Sequence, residues 1–247
     1  MSPFQPWSLV IVAVAVSVAW VVSRQIGLVA AAQPDLTRVA WRLRNGIWFW
    51  LAAALGLSLV GFFQAPDQFG TADLLGFGLF GTLMSLPPTL FALAFWRSPD
   101  LRTLVATIPN GWLTGLQVYR LAGMIFLVLL INGQAPFWWA LSTGLADLLV
   151  GLTALPLACG LTRQATWARP AALGWNMLGL ADFANSISYV GLVFFGLIMA
   201  VPAPALIGLH PLALIALFQV PLAIISHGIL LGRLRHPAQP RAAISRA

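Results

Sequence analysis

The chain has 247 residues, of which 60% are hydrophobic and 8% charged, with thirteen basic residues against six acidic ones and a net charge of +7. A water-soluble domain carries about 25% charged residues, so this composition excludes a soluble fold and points to lipid as the main solvent. All thirteen bases are arginine, lysine and glutamate are absent, and the single cysteine, Cys159, excludes an intramolecular disulfide and any multi-cysteine metal or iron–sulfur site.

Crossing a hydrocarbon core of about 30 Å takes roughly 20 apolar residues as a helix, and backbone groups in lipid must bond within the chain. Seven runs meet the pattern: Trp7 to Val22, Gly46 to Phe63, Asp73 to Trp96, Gly111 to Ile131, Pro136 to Leu161, Ala171 to Ala200 and Pro211 to Leu231. The expected fold is therefore an all-α integral membrane protein with seven transmembrane helices. Residues 1–235 form one seven-helix domain, and residues 236–247 a short basic cytoplasmic tail. Alternating ten-residue strands of the barrel type are missing from the sequence.

Arginine distribution sets the orientation, since short cytoplasmic loops hold an excess of positive charge. Arg24, Arg38, Arg42 and Arg44 fall between spans one and two, Arg97 and Arg102 between three and four, and Arg163 and Arg169 between five and six. Arg233, Arg235, Arg241 and Arg246 close the chain. The connections Gln64 to Ala72, Asn132 to Ala135 and Val201 to His210 hold no arginine, and Asp67 lies in the first of them. This pattern places the N-terminus outside and the C-terminus in the cytoplasm, in a cytoplasmic (inner) membrane. Ala30-Ala31-Ala32 resembles a signal cleavage site, but no base precedes the first run, and cleavage would strand Arg38, Arg42 and Arg44 outside. Trp7, Trp20, Trp48, Trp50, Trp96, Trp112, Trp138, Trp139 and Trp175 cluster near span ends, where interfacial anchors belong.

From Pro34 to Arg44, helical spacing puts Leu36, Val39, Ala40 and Leu43 on one face with Arg38 and Arg42 turned away. Such a segment lies on the cytoplasmic leaflet with Arg38, Arg42 and Arg44 drawing anionic lipid, or serves as a solvated connector. In span three, Pro87-Pro88 removes two backbone donors between Ser85 and Thr89. The expectation is a kinked or broken helix whose freed carbonyls face a bound ion or substrate.

Charged groups within a bilayer face the bundle interior near a partner and mark a site by default. Arg120 in span four, Asp147 in span five and Asp182 in span six all fall near the midplane. The short Asn132 to Ala135 loop makes spans four and five antiparallel neighbours, with Arg120 and Asp147 nearly equidistant from it, so the two are expected to pair. One arginine with two aspartates leaves a charge of −1, which a proton, a metal cation or a cationic ligand would complete. Asp182, Asn185, Ser186 and Tyr189 recur at i, i+3, i+4, i+7 on span six, Gln117 is one turn before Arg120, Thr143 one turn before Asp147, and Gln219 reaches similar depth in span seven. Gly144-Leu145-Ala146-Asp147 also recurs as Gly179-Leu180-Ala181-Asp182, as a worn inverted repeat would, although four common residues match readily by chance.

Missing chemistry narrows the function. Without lysine there is no retinal or pyridoxal Schiff base, and without glutamate no His-Glu-x-x-His zinc motif. His210 and His227 sit near opposite faces of one span, which does not suit a bis-histidine haem. His227, placed about one turn from the cytoplasmic end, reads as an interfacial side chain or a proton port, too far from the aspartates to join them on a metal. No phosphate loop or soluble basic domain speaks for nucleotide or nucleic acid.

The expectation is a multi-pass protein that binds, and in its fullest form transports, a small solute or ion with proton coupling at a site made by spans four to seven. Arg120 would hold an anionic group or the resting carboxylate, and Asp147 and Asp182 would exchange the proton or cation, with His227 on the proton path. Asn185, Ser186, Gln117 and Gln219 would shape the site. No cofactor, metal or catalytic residue is expected, and an enzymatic role less so than binding. Partners are the bilayer and, as alternatives, a second copy or another membrane protein. In the rival reading the chain is a non-transporting accessory or assembly subunit whose polar cluster locks the helices in register. A third reading is a lipid-modifying enzyme using one aspartate as base.

Overall fold

The computed structural model describes residues 6–63 and 74–235, with side chains described for residues 7–63 and 78–235. The tail 236–247 with Arg241 and Arg246, and the Gln64 to Ala72 connection with Asp67, lie outside the described residues. What is described is all-helical.

The order is α1 (Pro6–Ala32), a 3₁₀ turn (Pro34–Leu36), α2 (Thr37–Leu59), α3 (Leu74–Arg97), α4 (Pro99–Thr107), α5 (Asn110–Leu116), a 3₁₀ segment (Gln117–Met124) and α6 (Ile125–Ile131). Then come α7 (Phe137–Thr162), α8 (Ala168–Phe194), a 3₁₀ turn (Pro204–Gly208), a π segment (Ile215–Gln219) and α9 (Val220–Arg235). Among the described residues six stretches are long and apolar enough to cross a membrane: Trp7–Ala32, Gly78–Arg97, Asn110–Ile131, Phe137–Thr162, Ala168–Phe194 and Ile215–Arg235.

The expected second span is not one of the six. α2 begins at Thr37 and spends its first two turns on Arg38, Arg42 and Arg44. Only Gly46 to Leu59 remains apolar, about 21 Å of helix at about 1.5 Å per residue, short of the hydrocarbon thickness. Its far end nonetheless meets the segment just before the last span, where Ser58 Oγ lies 2.9 Å from His210 Nδ1, and midway Trp50 Nε1 donates to the Leu217 carbonyl at 2.6 Å. The amphipathic stretch does not lay its apolar face on lipid. Leu36 and Ala40 are buried and belong to the same packed core as Ile11, Ala15, Val22 and Ile26 of α1, while Arg38, Arg42 and Arg44 stay exposed.

Local sequence explains most helix ends. Ser98 caps α4, its Oγ accepting from the Leu101 N–H at 3.2 Å, with Pro99 in the first turn and Asp100 beside the dipole. At the other end of the molecule Gly133 takes φ +64°. Its N–H reaches the Leu130 carbonyl and that of Gln134 the Leu129 carbonyl, which closes α6 in a Schellman turn and lets five residues join α6 to α7. At the arginine-rich end, Arg233 donates through Nη1 to the Ile108 carbonyl at 2.6 Å and to Asn110 Oδ1 at 2.9 Å, and through Nη2 to the Val105 carbonyl.

The irregular stretches are not where proline predicts them. α3 runs unbroken through Pro87-Pro88, and Thr89 Oγ1 donates to the Ser85 carbonyl at 2.8 Å across the proline pair. The break lies in Asn110–Ile131 instead, where eight residues wind as 3₁₀ helix. Runs longer than three or four residues of this kind are uncommon and mark strain or function within a longer helix. A π segment opens the last span opposite it. The 3₁₀ stretch packs tightly on α7, because glycines remove the side chains between them. A Cβ at Gly151 would stand 2.9 Å from both the Leu121 side chain and its backbone nitrogen, and α6 comes as close, since one at Gly144 would stand 2.7 Å from Leu127 Cγ.

Candidate functional site

Arg120 sits on the 3₁₀ segment, where tighter winding and Gly123 bring the backbone against α7. A Cβ on Gly123 would collide with the Asp147 carboxylate. Arg120 Nε donates to Asp147 Oδ1 at 2.6 Å, and Nη2 donates to Asp182 Oδ2 on α8. The expected Arg120–Asp147 pair is present, and the structure brings Asp182 onto the same guanidinium. All three are at least 93% buried.

The third nitrogen, Nη1, lies 3.4 Å from His227 Nε2. His227 is therefore in the cluster rather than near the cytoplasmic surface, which corrects its expected depth. The last span begins at Ile215 and ends at Arg235, four residues later at both ends than its hydropathy suggested. His227 consequently lies twelve residues along a span of 21. Gly179 of α8 makes the approach feasible, since a Cβ there would stand 2.6 Å from His227 Cε1 and 3.0 Å from Arg120 Nη1. Each glycine of the repeated Gly-Leu-Ala-Asp pattern thus opens room for a neighbouring helix one turn before its aspartate. The opposite face of Arg120 is covered by Phe183, whose ring centroid is 4.4 Å from Cζ, within cation–π range.

Sequence reasoning missed five further members. Asn176, fully buried, places Oδ1 2.7 Å from His227 Nδ1 and donates through Nδ2 to the His227 carbonyl at 3.0 Å. Ser226 accepts from Gln117 Nε2 and donates to the Ala223 carbonyl. Tyr119, next to Arg120, donates to the Gln219 carbonyl at 2.9 Å. Trp139 is buried and donates to Ser186 Oγ at 2.9 Å, so it is no interfacial anchor. Trp175 is buried too, donating to Thr153 Oγ1 at 3.0 Å with its ring 5.3 Å from that of His227. Asn176 was legible as one helical turn and a half before Asp182, but only tertiary packing turns it toward α9.

The other expected residues divide. Ser186 and Thr143 border the carboxylates. Gln117 is buried one turn before Arg120 and bonded to Ser226. Gln219 lies in the π segment, where its main-chain carbonyl accepts from Tyr119 of span four and its side-chain Nε2 is buried without a partner among the described residues. Asn185 does not join: it is exposed and donates to Ser142 Oγ at 3.1 Å. The i+3 position has rotated past the Asp182 face, whereas the i+4 position, Ser186, stays on it.

Beside the carboxylates lies a cavity of about 200 Å³, reaching toward the arginine-poor end of the bundle. Asp147, Asp182, Thr143 and Ser186 are its polar lining, and Phe80, Phe126, Trp139 and Phe183 supply aromatic wall. Two buried oxygens at this place, Asp182 Oδ1 and Thr143 Oγ1, have no hydrogen-bond partner among the described residues. Buried polar atoms are nearly always paired, so such orphans call for an explanation. Among the described residues no three His, Cys, Asp or Glu side chains gather as a metal site, since His227 turns its free nitrogen to Arg120.

Comparison with known proteins brings one match. Residues 78–235 match the family described as Domain of unknown function (DUF8737). No curated protein and no solved structure matches the chain. The matched region runs from within α3 to the end of α9 and contains every member of the Arg120 cluster and its whole cavity wall. On that match the chain belongs to the DUF8737 family, whose function is unknown.

Proposed function

We propose that this protein binds a small solute or ion at the Arg120–Asp147–Asp182 site and moves it across the membrane with proton coupling. The observation that carries the reading is a buried, uncompensated charge. One guanidinium meets two carboxylates, and the second keeps an unpaired oxygen at a cavity wall. Such a charge is costly in a bilayer unless a proton or cation completes it. The eight-residue 3₁₀ segment bearing Arg120 supplies a second support, because a 3₁₀ interruption of a longer helix beside a site often serves as a functional hinge. Arg120 itself is no anion receptor in this reading, since each of its three nitrogens already has a partner.

The test is the carboxyl infrared spectrum of the protein in lipid across pH, for the parent, Asp147→Asn and Asp182→Asn. A protonated-carboxyl band that vanishes on alkalinisation in the parent and is missing from Asp182→Asn supports the reading. A spectrum without any titrating buried acid, together with proton fluxes in vesicles equal to those of empty vesicles, removes it.

In the same proposal α2 crosses as a seventh, short span, the N-terminus lies outside, and the C-terminus lies in the cytoplasm of a cell with an inner membrane. The Ser58–His210 and Trp50–Leu217 bonds support the crossing, because they tie the far half of α2 to the first turn of the last span and to the segment just before it. Arg38, Arg42 and Arg44 are exposed together at the opposite end, where they would meet anionic lipid. Cysteine scanning in a Cys159→Ser background reads this directly. Gln134→Cys should label with an impermeant maleimide in intact cells, and Gln164→Cys only after permeabilisation.

A second reading, an accessory subunit with or without self-association, is favoured by the way one guanidinium ties the 3₁₀ segment, α7, α8 and α9 together. Purification with a partner in fixed stoichiometry, and no solute or proton flux from the chain alone, would favour it.

A further inference from the structure

We propose that the cavity beside Asp147 and Asp182 takes a monovalent organic cation with a small apolar or aromatic body, and that this cation and a single proton are alternative occupants. The proposal rests on the solute-binding reading above and names its substrate class.

The hydrogen-bonding atoms on the wall decide the sign of the ligand. The wall offers carboxylate oxygens and the hydroxyls of Thr143 and Ser186. The cationic donors nearby are spent, with Arg120 Nε and Nη2 on the aspartates and Nη1 on His227, and Trp139 Nε1 is bonded to Ser186. An anionic ligand would find no free cationic donor and two carboxylates, so it is rejected. A cation finds a site charge of −1, an unpaired Asp182 Oδ1 and an unpaired Thr143 Oγ1.

The remaining lining decides its body. A bare metal ion wants about six oxygen ligands, whereas this cavity is lined mainly by carbon. Phe126 and Trp139 stand edge to face with centroids 5.1 Å apart, and Phe80 faces them from α3. Aromatic faces near a desolvated carboxylate are the surroundings that hold alkylammonium groups. A volume of about 200 Å³ suits a one-ring body rather than a lipid.

Charge then links the cation to a proton. The ionisable groups around Asp182 among the described residues are Arg120 on the 3₁₀ segment, Asp147 on α7 and His227 on α9, with Tyr119 beside Arg120 and bonded to Gln219. With Arg120 positive, both aspartates ionised and His227 neutral, the site balances only when one positive charge is added. Empty of cation, it balances with one carboxyl protonated. Arrival of the cation therefore breaks one O–H bond, releases one proton and leaves a carboxylate facing the ammonium. Across a membrane the same competition exchanges one cation for one proton.

The protein in nanodiscs of zwitterionic lipid would be titrated with benzyltrimethylammonium by calorimetry, with empty nanodiscs as blank. Two buffers of different ionisation heat count the protons, and measurements at pH 6 and pH 8 give the linkage. The expected result is saturable binding with up to one proton released, weakening by up to about tenfold per pH unit on acidification. Neopentylbenzene, the neutral isostere, and benzylsulfonate should bind at least tenfold more weakly, and Asp182→Asn should lose cation binding. Absence of saturable binding by the parent, equal binding of neopentylbenzene, or cation binding without proton release would each overturn the proposal. These measurements use the parent protein, so they hold if Asp182→Asn fails to fold. A parent that binds no cation while its buried carboxyl still titrates in the infrared overturns the cation class and leaves the proton-coupled reading standing. A parent with neither property overturns both.

Discussion

Oδ1 of Asn176 lies 2.7 Å from Nδ1 of His227, while Nδ2 of the same amide donates to the His227 main-chain carbonyl at 3.0 Å. The second bond orients the amide, so its oxygen must face the ring and accept, which assigns the imidazole proton to Nδ1. Nε2 is left with a lone pair toward Arg120. His227 thus serves as an acceptor for the guanidinium, and a proton passing through it would have to break that bond.

Replacement of Asn176 by leucine removes the acceptor for His227 Nδ1 and the donor to its carbonyl in a fully buried place. The expected loss is about 1–3 kcal/mol of stability, read as a lowered unfolding midpoint in lipid. Nitrogen chemical shifts of His227 should show one neutral tautomer in the parent and a mixture in Asn176→Leu.

The three charged residues should not be equivalent. Arg120→Met leaves two carboxylates buried against each other without a cation, the kind of break that costs about 3–5 kcal/mol. Asp182→Asn removes the second carboxyl and preserves the Arg120–Asp147 pair, so it should be the mildest of the three. Asp147→Asn should fall between, since it strips Arg120 of its 2.6 Å partner and leaves Asp182 to neutralise it. Unfolding midpoints of the three variants in one lipid check the order.

Glycine substitutions separate close packing from mere helix propensity. Gly151→Ala pushes a methyl against Leu121, backbone included, and should cost about 1–3 kcal/mol. Gly174→Ala meets nothing within 4 Å on the exposed face of α8, so it should be neutral or raise stability by about 0.5–1 kcal/mol. Titration with a denaturing detergent distinguishes the two.

His210 lies outside the spans, half-covered and bonded to Ser58. Burial lowers its pKa from the ordinary 6.5, so the unfolded chain binds this proton more readily than the folded one. Its contribution is therefore fully present above pH 6.5 and is lost as pH falls through 6.5 toward the lower folded value. The melting temperature should drop between pH 7.5 and 5.5, and His210→Gln should flatten that part of the profile.

Helix class and the three intramembrane charges were legible because each depends on local quantities: length of apolar runs, arginine position and helical spacing. The Arg120–Asp147 pair followed from a four-residue loop, which constrains two adjacent spans geometrically. Span ends were less legible. Hydropathy does not see that α2 extends back through Arg38, Arg42 and Arg44 as one helix and stops at Leu59, nor that the last span begins at Ile215 instead of Pro211 and runs on to Arg235. The four-residue error for the last helix moved His227 out of the cluster on paper and hid Asn176 with it.

By itself the sequence determined an all-helical chain built for lipid, with Arg120, Asp147 and Asp182 at comparable depth and a surplus negative charge among them. Only the tertiary structure decided which groups meet. Rotation about a helix axis and the register between non-adjacent helices depend on side-chain packing across several elements, which no single run of residues encodes. That packing turned Asn185 outward and Ser186 inward, kept α3 continuous through two prolines, and placed the 3₁₀ stretch at the Arg120 segment instead. It also closed glycines 123, 151 and 179 against their neighbours, so that one guanidinium could reach α7, α8 and α9 together.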